Sequence, residues 1–113
     1  VCLLGLAFKP NSDDIREASS IYIISKLLEK GAKVKAYDPQ AIGHMRKLYP
    51  DVEYAASAKD AIENSDACLI VTEWDEFKRL TDEDFTKMKN KVILEGRRIL
   101  DRTKVTKFEG ICW

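Results

Sequence analysis

Short apolar runs alternate along this chain with segments whose apolar residues recur at helical spacing. Residues 1–7 (VCLLGLA) form an apolar run ended by polar and turn residues, as is typical of a strand buried on both faces. In residues 19–30 the isoleucines and leucines recur at helical spacing, and Gly31 follows as a helix-ending residue. Residues 34–37 return to a strand pattern. The start of the chain therefore predicts a strand, a helix and a second strand.

The same alternation continues to the end of the chain. Ile42, Met45 and Tyr49 mark one face of a short helix that stops before Pro50. Two later segments have the spacing of a capping box, in which Ser or Thr starts a helix three residues before an acidic residue. These pairs are Ser57 with Asp60 and Thr81 with Asp84. The remaining predicted strands are residues 52–54, 67–71 and 91–95, with residues 107–113 as a final short strand or an edge segment.

This alternation predicts an α/β fold, a three-layer Rossmann-like sandwich with a mostly parallel central sheet in a single domain. Parallel strands are joined by right-handed crossovers, so helices are expected on both faces of the sheet. The length of 113 residues suits one domain that buries most of its apolar surface.

The balance of charge excludes a general attraction to nucleic acid or to anionic membranes. Nineteen basic and nineteen acidic residues give a formal charge of zero. The apolar runs are far shorter than the roughly 20 residues of a membrane span. We therefore predict a soluble, cytoplasmic protein in which any anion is bound by local charge.

The cysteines and the histidine do not suggest a metal site. Cys2, Cys68 and Cys112 lie in apolar, strand-like segments and lack the spacing of metal ligands. We expect buried thiols in a reducing compartment. His44, the single histidine, lies in a polar helical segment, where a surface position is expected.

Charged residues follow the predicted strands, at the edge where ligands bind in open α/β sheets. Lys9 comes after the first strand, and Arg97 comes after the strand at residues 91–95. An ammonium group and a planar guanidinium suit the two phosphates of a nucleoside diphosphate, and Phe8 or Trp74 could stack on a ring. Either cation alone would be interpreted as a solvated surface residue. Their common edge favours a ligand site.

The loop after the first strand lacks a dinucleotide-binding sequence. That fingerprint needs glycines at GxGxxG spacing, so that backbone amides can approach a pyrophosphate closely. The chain has Gly5, but Ala7 and Pro10 occupy the other two positions. Side-chain cations are therefore expected to bind the anion in place of backbone amides.

Two further residues near this edge each have two possible roles. Asp38 ends the second strand, where it could bind a nucleotide ribose or, before Pro39, form a turn. Trp74 follows a buried strand, where it could close the pocket or cover the edge of the sheet. The sequence leaves both choices open.

Four motifs resemble a known family. They are GLAFKPNSDDIREASS (residues 5–20), YDP (37–39), VTEWDEF (71–77) and EGRRILD (95–101). In this order and at these strand ends, they closely resemble the C-terminal domain of the UDP-glucose/GDP-mannose dehydrogenase family. The resemblance covers nearly all of the chain, and the TEWDEF and GRR forms look most like the UDP-glucose 6-dehydrogenase branch.

The resemblance implies a full enzyme that oxidises the C6 alcohol of UDP-glucose to a carboxylate, giving UDP-glucuronate for polysaccharide biosynthesis. Two NAD-dependent steps and a cysteine-linked intermediate are implied. In this domain Phe8, Lys9 and Arg97 would contact the UDP-sugar, and Arg16 would reach NAD. The family's nucleophilic cysteine belongs to an upstream glycine-rich motif that these residues lack, so no catalytic residue is expected here. The full-length enzyme is expected to be a homo-oligomer.

The chain begins at Val1, inside a predicted strand. We therefore expect residues 1–113 to be the C-terminal UDP-sugar-binding domain of a longer enzyme, without its N-terminal NAD-binding and central domains.

Three other functions are alternatives to a UDP-glucose dehydrogenase. A signalling receiver has five βα units in a similar length, but it needs an acidic cluster after the first strand, where this chain has Phe8, Lys9 and Pro10. A non-catalytic module that binds UDP-sugars would have the same sequence features. A dehydrogenase of the same family that acts on UDP-N-acetylmannosamine or GDP-mannose is a further alternative.

Overall fold

A single six-stranded sheet forms the centre of the molecule. The computed structural model describes residues 1–7, 14–15, 19–90, 92–96, 100, 105 and 109–110. The strands lie in the order β3-β2-β1-β4-β5-β6, and all their pairings are parallel. The strands are β1 (Cys2–Leu4), β2 (Lys35–Tyr37), β3 (Glu53–Tyr54), β4 (Cys68–Ile70), β5 (Ile93–Glu95) and β6 (Glu109–Gly110).

Helices connect the strands and cover both faces of the sheet. Because crossovers between parallel strands are right-handed, the helices before β3 and those after β3 lie on opposite faces. The described helices are α1 (Ser19–Glu29), α2 (Ile42–Leu48), α3 (Ala58–Ile62), α4 (Asp75–Lys78) and α5 (Asp82–Phe85). The predicted α/β sandwich with a parallel sheet is confirmed, and so is the final short strand. The sequence pattern did not predict α4.

Both predicted capping pairs are present. The backbone amide of Asp60 donates to Ser57 Oγ at 3.1 Å, which closes the first turn of α3. At α5 the box is reciprocal, with the Thr81 amide donating to Asp84 Oδ2 at 2.9 Å. These local bonds fix where the two helices begin.

The core is apolar on both faces of the sheet. The central strands β1 and β4 are almost fully buried, and Ile24 of α1 and Phe77 of α4 belong to the same buried core. Strands buried on both faces are what the continuous apolar runs predict. No helix among the described residues is long and apolar enough to cross a membrane.

Two of the cysteines face each other across this core. Cys2 and Cys68 are register partners on β1 and β4, and both are fully buried. The Cys68 thiol donates to Cys2 Sγ at 3.6 Å. This hydrogen bond and burial raise the pKa of the Cys68 thiol well above its usual range. Their prediction as buried thiols is confirmed, whereas Cys112 lies outside the described residues.

Candidate functional site

The strand order reverses direction between β1 and β4. From β1 the chain first moves to β2 and β3, and then crosses back to β4 on the other side of β1. Ligands of open α/β sheets bind outside the carboxyl ends of the strands, next to such a reversal. The carboxyl ends of β1, β4 and β5 are therefore the candidate site, and we call this edge the rim.

The segments after β1 and β4 touch each other at the rim. Gly5 has a φ of +99°, and a Cβ atom built on it would lie 2.6 Å from Thr72 Oγ1. The Thr72 hydroxyl donates to the Ala7 carbonyl at 2.8 Å. Only glycine allows this close approach of the two segments.

One buried carboxylate joins three segments of the rim. Asp38, which follows β2, is 2% exposed. Its Oδ2 accepts hydrogen bonds from the amides of Leu6 at 2.7 Å and Ala7 at 3.0 Å, and from the Trp74 indole at 3.0 Å. Asp38 therefore ties the segments after β1 and β4 to the end of β2.

The other oxygen of Asp38 binds the start of α2. Asp38 Oδ1 accepts from the amides of Gln40 and Ala41, both at 2.8 Å. With five donors already bound, this carboxylate has no position left for the hydroxyl groups of a ribose. The geometry favours the turn interpretation of Asp38 over the ribose-binding one.

Trp74 belongs to the core. Trp74 is 6% exposed, and its indole N–H donates a hydrogen bond to Asp38. Of the two roles considered for Trp74, packing at the sheet end agrees with the structure. Phe8, the other residue predicted to stack on a ligand ring, lies outside the described residues.

A second buried carboxylate lies at the end of β5. Glu95 is 1% exposed, and its Oε2 accepts from the Leu100 amide at 2.8 Å. This bond joins the end of β5 to Leu100, and Arg97 lies between these two residues in the sequence. In the sequence, both carboxylates could be recognised as acidic residues at the ends of apolar strands. The sequence did not indicate which backbone amides they bind.

All four predicted contact residues lie outside the described residues. They are Phe8, Lys9, Arg16 and Arg97. Their described neighbours Ala7 and Gly96 follow β1 and β5, which are the two neighbours of β4. Because adjacent strands lie about 4.8 Å apart, the ends of β1 and β5 are about 10 Å apart.

A groove of about 560 Å³ opens at the opposite edge of the sheet. Val1, Lys35 and Glu53, at the amino ends of three strands, line it together with other residues of both charges. It contains none of the described rim residues, and its mixed charge does not favour an anion. We therefore place the candidate site at the rim and not in this groove.

Tyr37 at the end of β2 is connected to α4. Its hydroxyl donates to Glu76 Oε1 at 2.8 Å. Burial, this hydrogen bond and the negative charges of Glu76 and Asp38 raise the pKa of Tyr37 well above its usual range. The neutral hydroxyl is therefore favoured in the folded state.

Tyr37→Phe is expected to flatten the decline of stability at alkaline pH. An unfolded tyrosine ionises near pH 10, whereas folded Tyr37 keeps its proton to higher pH. Above about pH 10 the unfolded state therefore binds fewer protons, and stability falls as the pH rises. Urea unfolding at about pH 8 and about pH 11 measures this, with Tyr22→Phe as the exposed control. An equal decline in Tyr37→Phe and the wild type would contradict the assignment.

Comparison with known proteins identifies the family of this fold and site. Residues 2–102 match the model of the UDP-glucose/GDP-mannose dehydrogenase family, UDP binding domain. The chain belongs to this family. Its sequence is 48% identical over 111 residues to the UDP-glucose 6-dehydrogenase AglM of Haloferax volcanii, covering 98% of this chain and 26% of that protein.

Other members of the family agree in sequence and in fold. The UDP-glucose 6-dehydrogenase TuaD of Bacillus subtilis is 44% identical over 101 residues, covering 88% of this chain and 22% of that protein. The structure of a UDP-glucose dehydrogenase from Pyrobaculum islandicum superposes with a TM-score of 0.84 at 32% identity, covering 98% of this chain and 24% of that one. This UDP-binding domain thus spans about a quarter of the length of its relatives.

Proposed function

We propose that this chain is the C-terminal UDP-binding part of an NAD-dependent UDP-glucose 6-dehydrogenase, which oxidises UDP-glucose to UDP-glucuronate in two steps. The observation that carries the proposal is the match of residues 2–102 to the UDP-binding domain of the family. The AglM relative, at 48% identity, favours the glucose branch. A UDP-N-acetyl-mannosamine dehydrogenase of Staphylococcus aureus, Cap5O, is less similar, at 28% identity and a TM-score of 0.71 over 96% of this chain and 25% of that one.

In this proposal Phe8, Lys9 and Arg97 bind the nucleotide. The Lys9 ammonium and the Arg97 guanidinium approach the diphosphate from the ends of β1 and β5, and Phe8 contacts the UDP-sugar. Charge-assisted bonds of this kind contribute about 1.5–3 kcal/mol each. The remote nucleotide is thereby held so that the sugar C6 stays near groups contributed by the rest of the enzyme, which is a proximity effect.

The described residues do not fit NAD bound in the Rossmann manner. The Gly5 amide, which would face a pyrophosphate, donates to the Tyr37 carbonyl at 2.8 Å. Asp38, which stands where a ribose-binding acid would be, is occupied by five donors of its own chain. We therefore propose that NAD is bound mainly by an N-terminal domain of the full-length enzyme, and that Arg16 of this chain contacts it.

Lys9→Ala and Arg97→Ala are each expected to raise the dissociation constant for UDP by roughly tenfold or more. Each variant removes one charge-assisted bond to the diphosphate. Isothermal titration of the chain with UDP measures the change.

The matched controls are Lys33→Ala and Arg46→Ala. Lys33 lines the groove at the opposite edge of the sheet. Arg46 is on α2, and its guanidinium carbon lies 5.2 Å from the centre of the Tyr54 ring. Both controls should bind UDP as the wild type does. If Lys9→Ala and Arg97→Ala also keep the wild-type affinity, the rim site is wrong.

A further inference from the structure

Side chains from three other segments hold the backbone of Leu6 and Ala7, which lie just beyond Gly5 at the end of β1. The amides of Leu6 and Ala7 donate to Asp38 Oδ2 at 2.7 and 3.0 Å. The Leu6 carbonyl accepts from Ser20 Oγ at 2.6 Å, and the Ala7 carbonyl accepts from Thr72 Oγ1 at 2.8 Å. Both N–H groups and both carbonyls are therefore bound just before the chain enters its first loop.

Asp38 is the member of this network that reaches farthest. Besides the two amides it binds the Trp74 indole N–H at 3.0 Å, which connects the end of β2 to the segment after β4. It also binds the start of α2, so its own position is fixed. One carboxylate therefore sets how the segments after β1, β2 and β4 lie relative to one another.

We propose that Asp38 is a positioning residue for UDP binding, with Trp74 as its partner. Asp38 holds the backbone of Leu6 and Ala7, from which the chain continues to Lys9 in the sequence, and the proposed function assigns Lys9 to the diphosphate. Affinity is gained because UDP does not have to order this backbone when it binds. The inference rests on the proposed function of the rim.

The first measurement is the UDP affinity of Asp38→Asn and Trp74→Phe. In Asp38→Asn an amide group replaces one carboxylate oxygen and cannot accept from the backbone donors. The expected result is a dissociation constant about tenfold higher than that of the wild type, equivalent to about 1.4 kcal/mol. Trp74→Phe keeps an aromatic ring but removes the indole N–H, and an increase of about threefold is expected. Titrations are made at a temperature where circular dichroism shows each variant folded.

A double-mutant cycle separates positioning from a purely structural role. If Asp38 acts through Lys9, Asp38→Asn should weaken UDP binding much less in the Lys9→Ala background than in the wild type. Ser57→Ala is the matched control, since the hydrogen bond that it removes caps α3 and involves neither Leu6 nor Ala7. It should lower the melting temperature and leave the UDP affinity unchanged.

The outcomes distinguish the inference from the function on which it rests. A wild-type chain that does not bind UDP would overturn the proposed function and the inference with it. If the wild type binds UDP and Lys9→Ala weakens it, unchanged affinity in Asp38→Asn and Trp74→Phe would overturn the inference alone. A loss of UDP affinity in Asp38→Asn that is equally large in the wild-type and Lys9→Ala backgrounds would also overturn the inference alone. If Asp38→Asn does not fold, the double-mutant cycle is made with Trp74→Phe and Lys9→Ala.

Discussion

Replacing Gly5 with alanine is expected to lower the free energy of unfolding by roughly 2–5 kcal/mol. The φ of +99° at Gly5 is in the left-handed region, which costs a residue with a Cβ atom about 1–2 kcal/mol. The new Cβ would also lie 2.6 Å from Thr72 Cβ and 2.7 Å from the Thr72 amide nitrogen. A rotamer change cannot relieve a contact with backbone, so β1 and β4 would have to separate, at about 1–3 kcal/mol.

Two other glycines separate these effects. Gly31 also has a positive φ, of +80°, but an added Cβ meets nothing within 4 Å, so Gly31→Ala should show the φ cost alone. Gly43 lies inside α2 with open space around it, and Gly43→Ala should stabilise by about 0.5–1 kcal/mol. Urea unfolding of the three variants gives the comparison. A loss in Gly5→Ala no larger than in Gly31→Ala would contradict the close approach of β1 and β4.

Phe77→Ala is expected to cost about 3–5 kcal/mol of stability, the usual range for a fully buried phenylalanine. Phe77 on α4 is fully buried, and its ring meets Tyr37 edge to face, with centroids 6.2 Å apart. The truncation leaves a cavity between α4 and the end of β2. It also removes the apolar anchor of a helix only four residues long.

The control for Phe77 is an aromatic residue on the surface. Tyr22 on α1 is 66% exposed, so Tyr22→Ala should change stability by no more than about 0.5 kcal/mol. Thermal unfolding and urea unfolding of both variants measure the difference. A loss below about 1 kcal/mol in Phe77→Ala would mean that α4 does not pack as described.

Most of the fold could be predicted because its signals are local. Apolar runs and helical periodicity marked β1, α1 and β4, and the residues that cap α3 and α5 lie three positions apart. Helix α4 was missed because four residues with one buried side chain show no periodicity. Strand β1 is also shorter than its apolar run of residues 1–7, because the amides of Leu6 and Ala7 donate to Asp38 at the rim and not to a neighbouring strand.

The sequence indicated the rim as the candidate site, but it did not indicate the hydrogen bonds that hold the rim together. Charged residues after strands indicated the rim, since parallel strands end at one edge. The network of Asp38 could not be predicted, because its partners Leu6 and Trp74 lie 32 and 36 positions away in the sequence. Only the strand order brings these segments together. The available signal was an acidic residue at the end of a predicted strand. This signal was equally consistent with a contact to a ribose and with a turn.

The measurement that tests the UDP-binding assignment most directly is a thermal-shift titration of the chain with UDP-glucose, UDP and NAD in parallel. A ligand at about 100 times its dissociation constant adds roughly 2.7 kcal/mol of stability. ADP serves as the matched diphosphate with another base. We expect UDP-glucose and UDP to raise the melting temperature, and ADP and NAD to have little effect. Equal shifts with ADP and UDP, or no shift with either UDP compound, would contradict a UDP site in this chain.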